Sequence, residues 1–262
     1  MAEVLGIDVS HHNGKIDWEA VAKDNKKFAI LKCQYEAKSH RIDETFEYNY
    51  QEAGKFGLAR GVYIFIAGDS IADPIADAKA LLSKLKNRPL EYGIWLDYES
   101  DALRRLSKEE INKLTMVYAD IFRAAGYYVG IYCNKYWYDH ILDSEFLKND
   151  FEFWIARYPS SDTGVYNSTS SLKPSRIACA WQYSSKGFVP GIKTRVDLNV
   201  DFDGIINLMA EHRSRKTNRE IALEVIAGLW GDSKSKPSRR QLLEAAGYNY
   251  GDIQKIVNQL YK

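Results

Sequence analysis

One apolar run in this chain closes on two carboxylates: Gly93-Ile-Trp-Leu-Asp-Tyr-Glu-Ser100 places Asp97 and Glu99 two residues apart. Bounded by Gly93 on one side and charged residues on the other, the run reads as a buried strand. Side chains alternate along a strand, so Asp97 and Glu99 project one way and Tyr98 the other. Their Cα atoms are then about 6.6–7 Å apart, within the range over which paired carboxylates perform glycoside chemistry. That chemistry needs an acid still protonated at working pH, and a crowd of carboxylates supplies one by raising the pKa of a member. Further acids end other apolar runs. Asp8 follows Val4-Leu-Gly-Ile, and Asp197, Asp201 and Asp203 fall within Arg195-Val-Asp-Leu-Asn-Val-Asp-Phe-Asp-Gly204.

These acids need a frame that brings them together. From residue 1 to about 208, eight strand-like runs alternate with amphipathic helical patterns: Val4–Val9, Phe28–Cys33, Gly61–Ile66, Gly93–Tyr98, Tyr128–Tyr132, Phe153–Arg157, Ile177–Tyr183 and Arg195–Val200. Ser107 and Glu110 form a capping box, and Ile111, Leu114, Tyr118, Phe122 and Ala125 continue at helical spacing to Gly126. Alternation of this kind predicts an α/β fold of parallel strands with crossover helices, and eight strands predict a closed barrel. Residues 158–176 and 184–194 carry no helical period. The expected fold is therefore an irregular (β/α) barrel with reduced last helices. In a parallel barrel the C-terminal strand ends share one face, so acids of the first, fourth and last strands would share a bowl.

Composition changes after Ile206. The stretch Glu211-His-Arg-Ser-Arg-Lys-Thr-Asn-Arg219 is polar and basic, and three helix signals follow. Thr217 with Glu220 and Ser238 with Gln241 are capping boxes, the second helix closing at Gly247; Ile253, Ile256, Val257 and Leu260 recur at i, i+3, i+4 and i+7. The expected organisation is a catalytic barrel over 1–210, a linker over 211–217 and a small three-helix module over 218–262. Met209 stands just before the linker, where internal initiation would yield free modules able to join the full-length chain.

Other function classes find little support. A net charge of +1 with no basic stripe gives no basis for nucleic-acid binding. Cys33, Cys133 and Cys179 are widely spaced with no CxxC pair, which predicts buried thiols made in a reducing compartment and neither a zinc site nor a disulfide framework. No metal or other cofactor is expected: His11 and His12 have no third ligand at metal spacing. The first eight residues lack the basic and apolar regions of a signal peptide, and no run approaches transmembrane length, so neither export by a signal nor membrane insertion is expected. Lys32, ending the second strand, would either contact substrate or pair with an acid. The 18 tyrosines suit flat sugar faces that also need hydrogen bonds.

Seven segments in order resemble the glycoside hydrolase family 25 muramidases. They are Gly6-Ile-Asp-Val-Ser-His-His-Asn-Gly14, Gly57-Leu-Ala-Arg-Gly-Val-Tyr-Ile-Phe65, Trp95-Leu-Asp-Tyr-Glu99, Gly130-Ile-Tyr132, Phe153-Trp-Ile-Ala-Arg-Tyr158, Trp181-Gln-Tyr183 and Val196-Asp-Leu-Asn-Val200. The resemblance implies cleavage of the β-1,4 bond between N-acetylmuramic acid and N-acetylglucosamine in bacterial peptidoglycan. By it Glu99 matches the general acid and Asp97 its partner carboxylate, orienting the substrate's acetamido group or, in the alternative, activating a water. Asp8 and Asp197 would keep the bowl acidic, with Asp201 in reserve for Asp197. Tyr63, Tyr132, Trp154, Tyr158 and Phe65 would contact sugar. The chain departs from the family at Ile64, where a polar residue is common.

The tail resembles the short cell-wall-binding repeat of some pneumococcal phage lysins, through Glu220-Ile-Ala-Leu-Glu-Val-Ile-Ala-Gly-Leu-Trp-Gly231 and Ala245-Ala-Gly-Tyr248. By that resemblance Trp230, Arg240 and Tyr248 would bind a muropeptide, and self-association through the module would add avidity. Together the two resemblances imply a phage endolysin, made in the host cytoplasm and reaching the wall through a membrane pore. A secreted autolysin and a wall-binding protein with a dead barrel are the alternatives.

Overall fold

The computed structural model describes residues 3–34, 40–67, 74–205, 216–232 and 234–260. The chain divides into two compact units, 1–211 and 212–262.

The first unit is a closed barrel whose eight strands neighbour one another in sequence order. They are β1 (Val4–Val9), β2 (Phe28–Gln34), β3 (Ala59–Phe65), β4 (Ile94–Asp97), β5 (Val129–Asn134), β6 (Phe153–Ala156), β7 (Ala180–Gly187) and β8 (Val196–Asp201). Helices α1 (Trp18–Lys23), α2 (Phe46–Lys55), α3 (Pro74–Leu85), α4 (Lys108–Ala124) and the single turn α5 (Ser144–Leu147) lie between them. Ser107 and Glu110 close the capping box that starts α4, the longest of the five. No helix occurs between β6 and β7 or between β7 and β8.

The outward row of each strand and the apolar faces of the helices form the main core. It includes Ile7, Leu31, Ile64, Leu96, Val129, Leu198 and, from α4, Leu114, Tyr118 and Phe122. The inward row makes a second core of Phe28, Ile30, Tyr92, Trp95, Tyr128, Trp154 and Ile205, which plugs the barrel below the acids. Rings of this size need room across the barrel, and glycines provide it. A Cβ on Gly130 would lie 2.4 Å from the Trp95 ring. Gly130→Ala should therefore lower stability by about 1–3 kcal/mol through overpacking; thermal unfolding tests this, and a wild-type midpoint would refute it.

β1 to β7 run parallel, but β8 runs antiparallel to both β7 and β1. The all-parallel expectation fails here because residues 188–195 are too few for a crossover, and a short connection can only return as a hairpin. The reversal decides which acid reaches the bowl. Asp197, at the start of β8, pairs with Asp8 at the upper end of β1, whereas Asp201 pairs with Val4 at the lower end. Asp201 is thus no alternative to Asp197. Its carboxylate accepts the Tyr92 hydroxyl at 3.0 Å and the backbone N–H groups of Asp203, Gly204 and Ile205, and so seals the barrel floor.

Three buried free thiols, Cys33, Cys133 and Cys179, sit within the barrel unit. Among the described residues no helix is long and apolar enough to cross a membrane.

The second unit contains α6 (Asn218–Ile226), α7 (Arg239–Ala245) and α8 (Tyr250–Leu260). Both capping boxes form, Thr217 with Glu220 and Ser238 with Gln241. Ile221, Ala222, Val225, Leu243, Tyr248, Ile253, Ile256 and Val257 make its core. Residues 211–215 of the expected linker, and Met209, lie outside the described residues.

Candidate active site

The upper end of the barrel opens into a cavity of about 190 Å³ lined by Asp8, Tyr63, Asp97, Glu99, Tyr132, Trp154, Tyr158, Gln182 and Asp197. Asp97 is the last residue of β4, and Glu99 follows it at the lip, exposed to solvent. Tyr98 between them turns into the outer core and shares a 2.7 Å hydrogen bond with Thr115 of α4. The alternation expected along this segment therefore holds beyond the strand end.

Behind the acids lies a network that fixes Asp8. Its Oδ2 accepts from the Gln182 and Asn199 side-chain amides, each at 2.8 Å. Asn199 in turn accepts the Trp154 indole N–H at 2.9 Å. Gln182 accepts the Tyr132 hydroxyl at 2.8 Å and also that of Tyr158. The amides are oriented by these donors, so Asp8 is held from β7 and β8 at once. Sequence reasoning missed Gln182 and Asn199 as site residues. The signal was present in β8, where Asp197, Asn199 and Asp201 alternate with Val196, Leu198 and Val200 and so mark a polar inward row.

Burial raises every acid of the bowl. Burial, opposed by its two amide donors and reinforced by Glu99, lifts Asp8 to about 6. Burial and the charges of Asp8 and Glu99 lift Asp197 to about 8. Asp97 is 4% exposed and rises well above the carboxylate range, through burial and then the charge of Glu99. Although Glu99 is exposed at the lip, desolvation of its carboxyl raises it, and the Lys32 ammonium draws it back down. The bowl therefore holds protons at neutral pH, the condition for a general acid. Asp97 Oδ1 is buried and accepts no hydrogen bond within the protein.

The aromatic residues divide. Tyr63, Tyr132, Trp154 and Tyr158 line the cavity, with Tyr158 40% exposed and Trp154 forming a wall braced by Trp95 and Tyr132. Phe65 does not line it. Its ring lies under Lys32, whose ammonium is 5.4 Å from that ring and 5.6 Å from Tyr63. Lys32 thus joins the aromatic wall and acts on Asp97 and Glu99 by its charge.

Comparison with known proteins agrees with this geometry. The model of glycosyl hydrolases family 25 matches residues 7–192. The chain belongs to this family. Among its relatives are the protein YegX of Escherichia coli O157:H7, 30% identical over 77% of this chain and 70% of that protein, and Lysozyme M1 of Streptomyces globisporus, 27% identical over 75% and 67%. The solved structure of the Streptomyces coelicolor bacterial lysozyme superposes with a TM-score of 0.64 at 25% identity, over 82% of this chain and 99% of that one. This family 25 barrel is therefore a glycoside hydrolase.

The family 25 barrel is followed by a segment, residues 219–261, that matches a second family model, the CW_7 repeat. A shallow groove there is lined by Arg240, Glu244, Gly247, Tyr248, Asn249, Tyr250 and Gly251. Of the three residues expected to bind, Arg240 presents its guanidinium at the surface, bonded to Glu244 at 2.8 Å. Tyr248 is 8% exposed, its ring in the helical core and its hydroxyl on the Lys216 carbonyl. Trp230 does not line the groove. Its indole N–H is held by Glu224 at 2.9 Å, and its edge packs on Tyr248.

Proposed function

We propose that this chain is a phage-type lysozyme that cleaves the β-1,4 bond between N-acetylmuramic acid and N-acetylglucosamine of bacterial peptidoglycan, lysing the host. The observation that carries the reading is the four-carboxylate bowl, walled by tyrosines at the barrel mouth of a family 25 hydrolase. Glu99, at the lip and raised by desolvation of its carboxyl, protonates the leaving oxygen. Asp97 accepts the acetamido N–H on its otherwise unpartnered Oδ1 and stabilises the charge that develops as the acetamido oxygen attacks C1. This is the substrate-assisted route, distinct from a direct carboxylate nucleophile. Asp8 and Asp197 keep the bowl acidic and receive sugar hydroxyls.

The CW_7 segment supports retention on the wall, with Arg240 as the groove's cation for a muropeptide carboxylate. Three buried thiols suit synthesis in the host cytoplasm, ahead of passage through a membrane pore. Digestion of purified peptidoglycan, borohydride reduction and mass spectrometry of the fragments test the bond. Fragments ending in reduced N-acetylmuramic acid are expected; reduced N-acetylglucosamine ends would overturn the assignment.

A further inference from the structure

The hairpin from β7 to β8 carries a large apolar ring at the barrel mouth. Phe188 is 71% exposed, and the Arg195 guanidinium lies 3.6 Å from its ring centroid. Strand alternation places the pair. Gly187 faces Val196 across the hairpin, and Val189 and Val196 both enter the outer core. Phe188 and Arg195 therefore take the opposite side, the side of the bowl. Arg195 precedes Asp197 by two residues, so alternation sets the pair on the same side of the hairpin as that acid, at the rim.

The rim is rigid at this point. The Asn13 side-chain amide donates to Thr194 Oγ1 at 3.2 Å and to the Arg195 carbonyl at 3.1 Å. The Asp17 N–H donates to the Gly191 carbonyl at 3.0 Å, and Val189 and Ile192 are buried beneath. Arg195 Nη1 donates to the Lys186 carbonyl at 2.8 Å, which fixes the guanidinium against one face of the ring. A single exposed ring is ordinary on a protein surface. A ring locked by a cation on an anchored hairpin, one step outside a polymer-cleaving cavity, has a use.

The cavity, at about 190 Å³, falls well below the roughly 300–1,000 Å³ of pockets that enclose a drug-sized ligand. Most of a glycan strand must therefore cross the rim. We propose that Phe188 is a stacking platform for a sugar residue of the strand outside the cavity, on the Asp197 side, with Arg195 as the lock that holds the ring. The inference rests on the peptidoglycan-cleaving reading above. An apolar sugar face laid on the free face of the ring removes both from water, and the guanidinium behind the ring costs no further ordering when the sugar binds.

The test compares wild type, Phe188→Ala and Phe188→Trp on soluble uncrosslinked glycan strands and on the shortest fragment the wild type cleaves. Phe188→Ala should lose roughly 5- to 10-fold in kcat/KM on long strands, the scale of one aromatic contact. The loss should appear in KM, with the short fragment unaffected and the thermal midpoint unchanged. Phe188→Trp should restore long-strand activity. Equal loss on both substrates, or no loss, overturns the platform while leaving the hydrolase reading intact. A wild type inactive on both substrates overturns that reading, and the platform with it.

Discussion

Glu99→Gln is expected to reduce reducing-end release from peptidoglycan by about 10³-fold, the contribution of a positioned general acid. The amide keeps the shape of the side chain and removes its transferable proton. Glu99 sits at the lip, exposed on one side, so the substitution leaves no buried group unpaired. The loss should fall on kcat, because the tyrosines that line the cavity, Tyr63, Tyr132 and Tyr158, are untouched. Circular dichroism and the thermal midpoint should match wild type. Retention of a tenth or more of the wild-type rate would remove Glu99 from the role of acid.

Asp197→Asn is expected to stabilise the barrel, and more so as pH rises. The folded-state pKa of Asp197 is raised to about 8, above its unfolded value, by burial and by the charges of Asp8 and Glu99. Between about pH 4, where an unfolded Asp ionises, and pH 8, the folded state binds more protons than the unfolded, so stability falls as pH rises. Titrating alone, such a shift corresponds to on the order of 5 kcal/mol. The bowl shares its charge among Asp8, Asp97 and Glu99, so about 2 kcal/mol is the expected gain from neutralising one member at pH 8. For a unit of this size that raises the melting temperature by about 4–8 °C. At pH 3, where both forms are neutral, the two proteins should melt together. A gain of equal size at pH 3 and pH 8 would show the effect to be packing rather than charge. The wild-type barrel carries this instability because like charges in a confined bowl are what make an acid available to chemistry.

Much of this arrangement is legible in the residues. Asp97 and Glu99 end an apolar run, and period-two alternation is enough to send both to one side and Tyr98 to α4. Ser107 with Glu110, Thr217 with Glu220 and Ser238 with Gln241 mark helix starts because the capping interaction is local in sequence. What was not legible is long-range. The reversal of β8 depends on how residues 188–195 return, and until that is known Asp197 and Asp201 are equivalent acids on one inward row. Gln182 and Asn199 gain meaning only from Asp8, on the first strand of the chain. Phe65 and Tyr248 illustrate the limit for aromatics. Composition says that rings suit sugars, yet a place beneath Lys32 in one case and burial in the module core in the other are decided by neighbours far away in sequence.

The bond from Asn199 to Asp8 spans 191 residues of chain, and β1 is flanked by β2 on one side and by β8 on the other. During synthesis β1 must therefore wait for β8 before the sheet closes. Until β8 is released, Asp8 has no amide from Asn199, Asp197 is not opposite it, and the acids have no common enclosure to raise one another. A chain that stops before β8 is consequently expected to lack the closed bowl. Closure of the ring and assembly of the bowl are therefore one event, set by the arrival of β8.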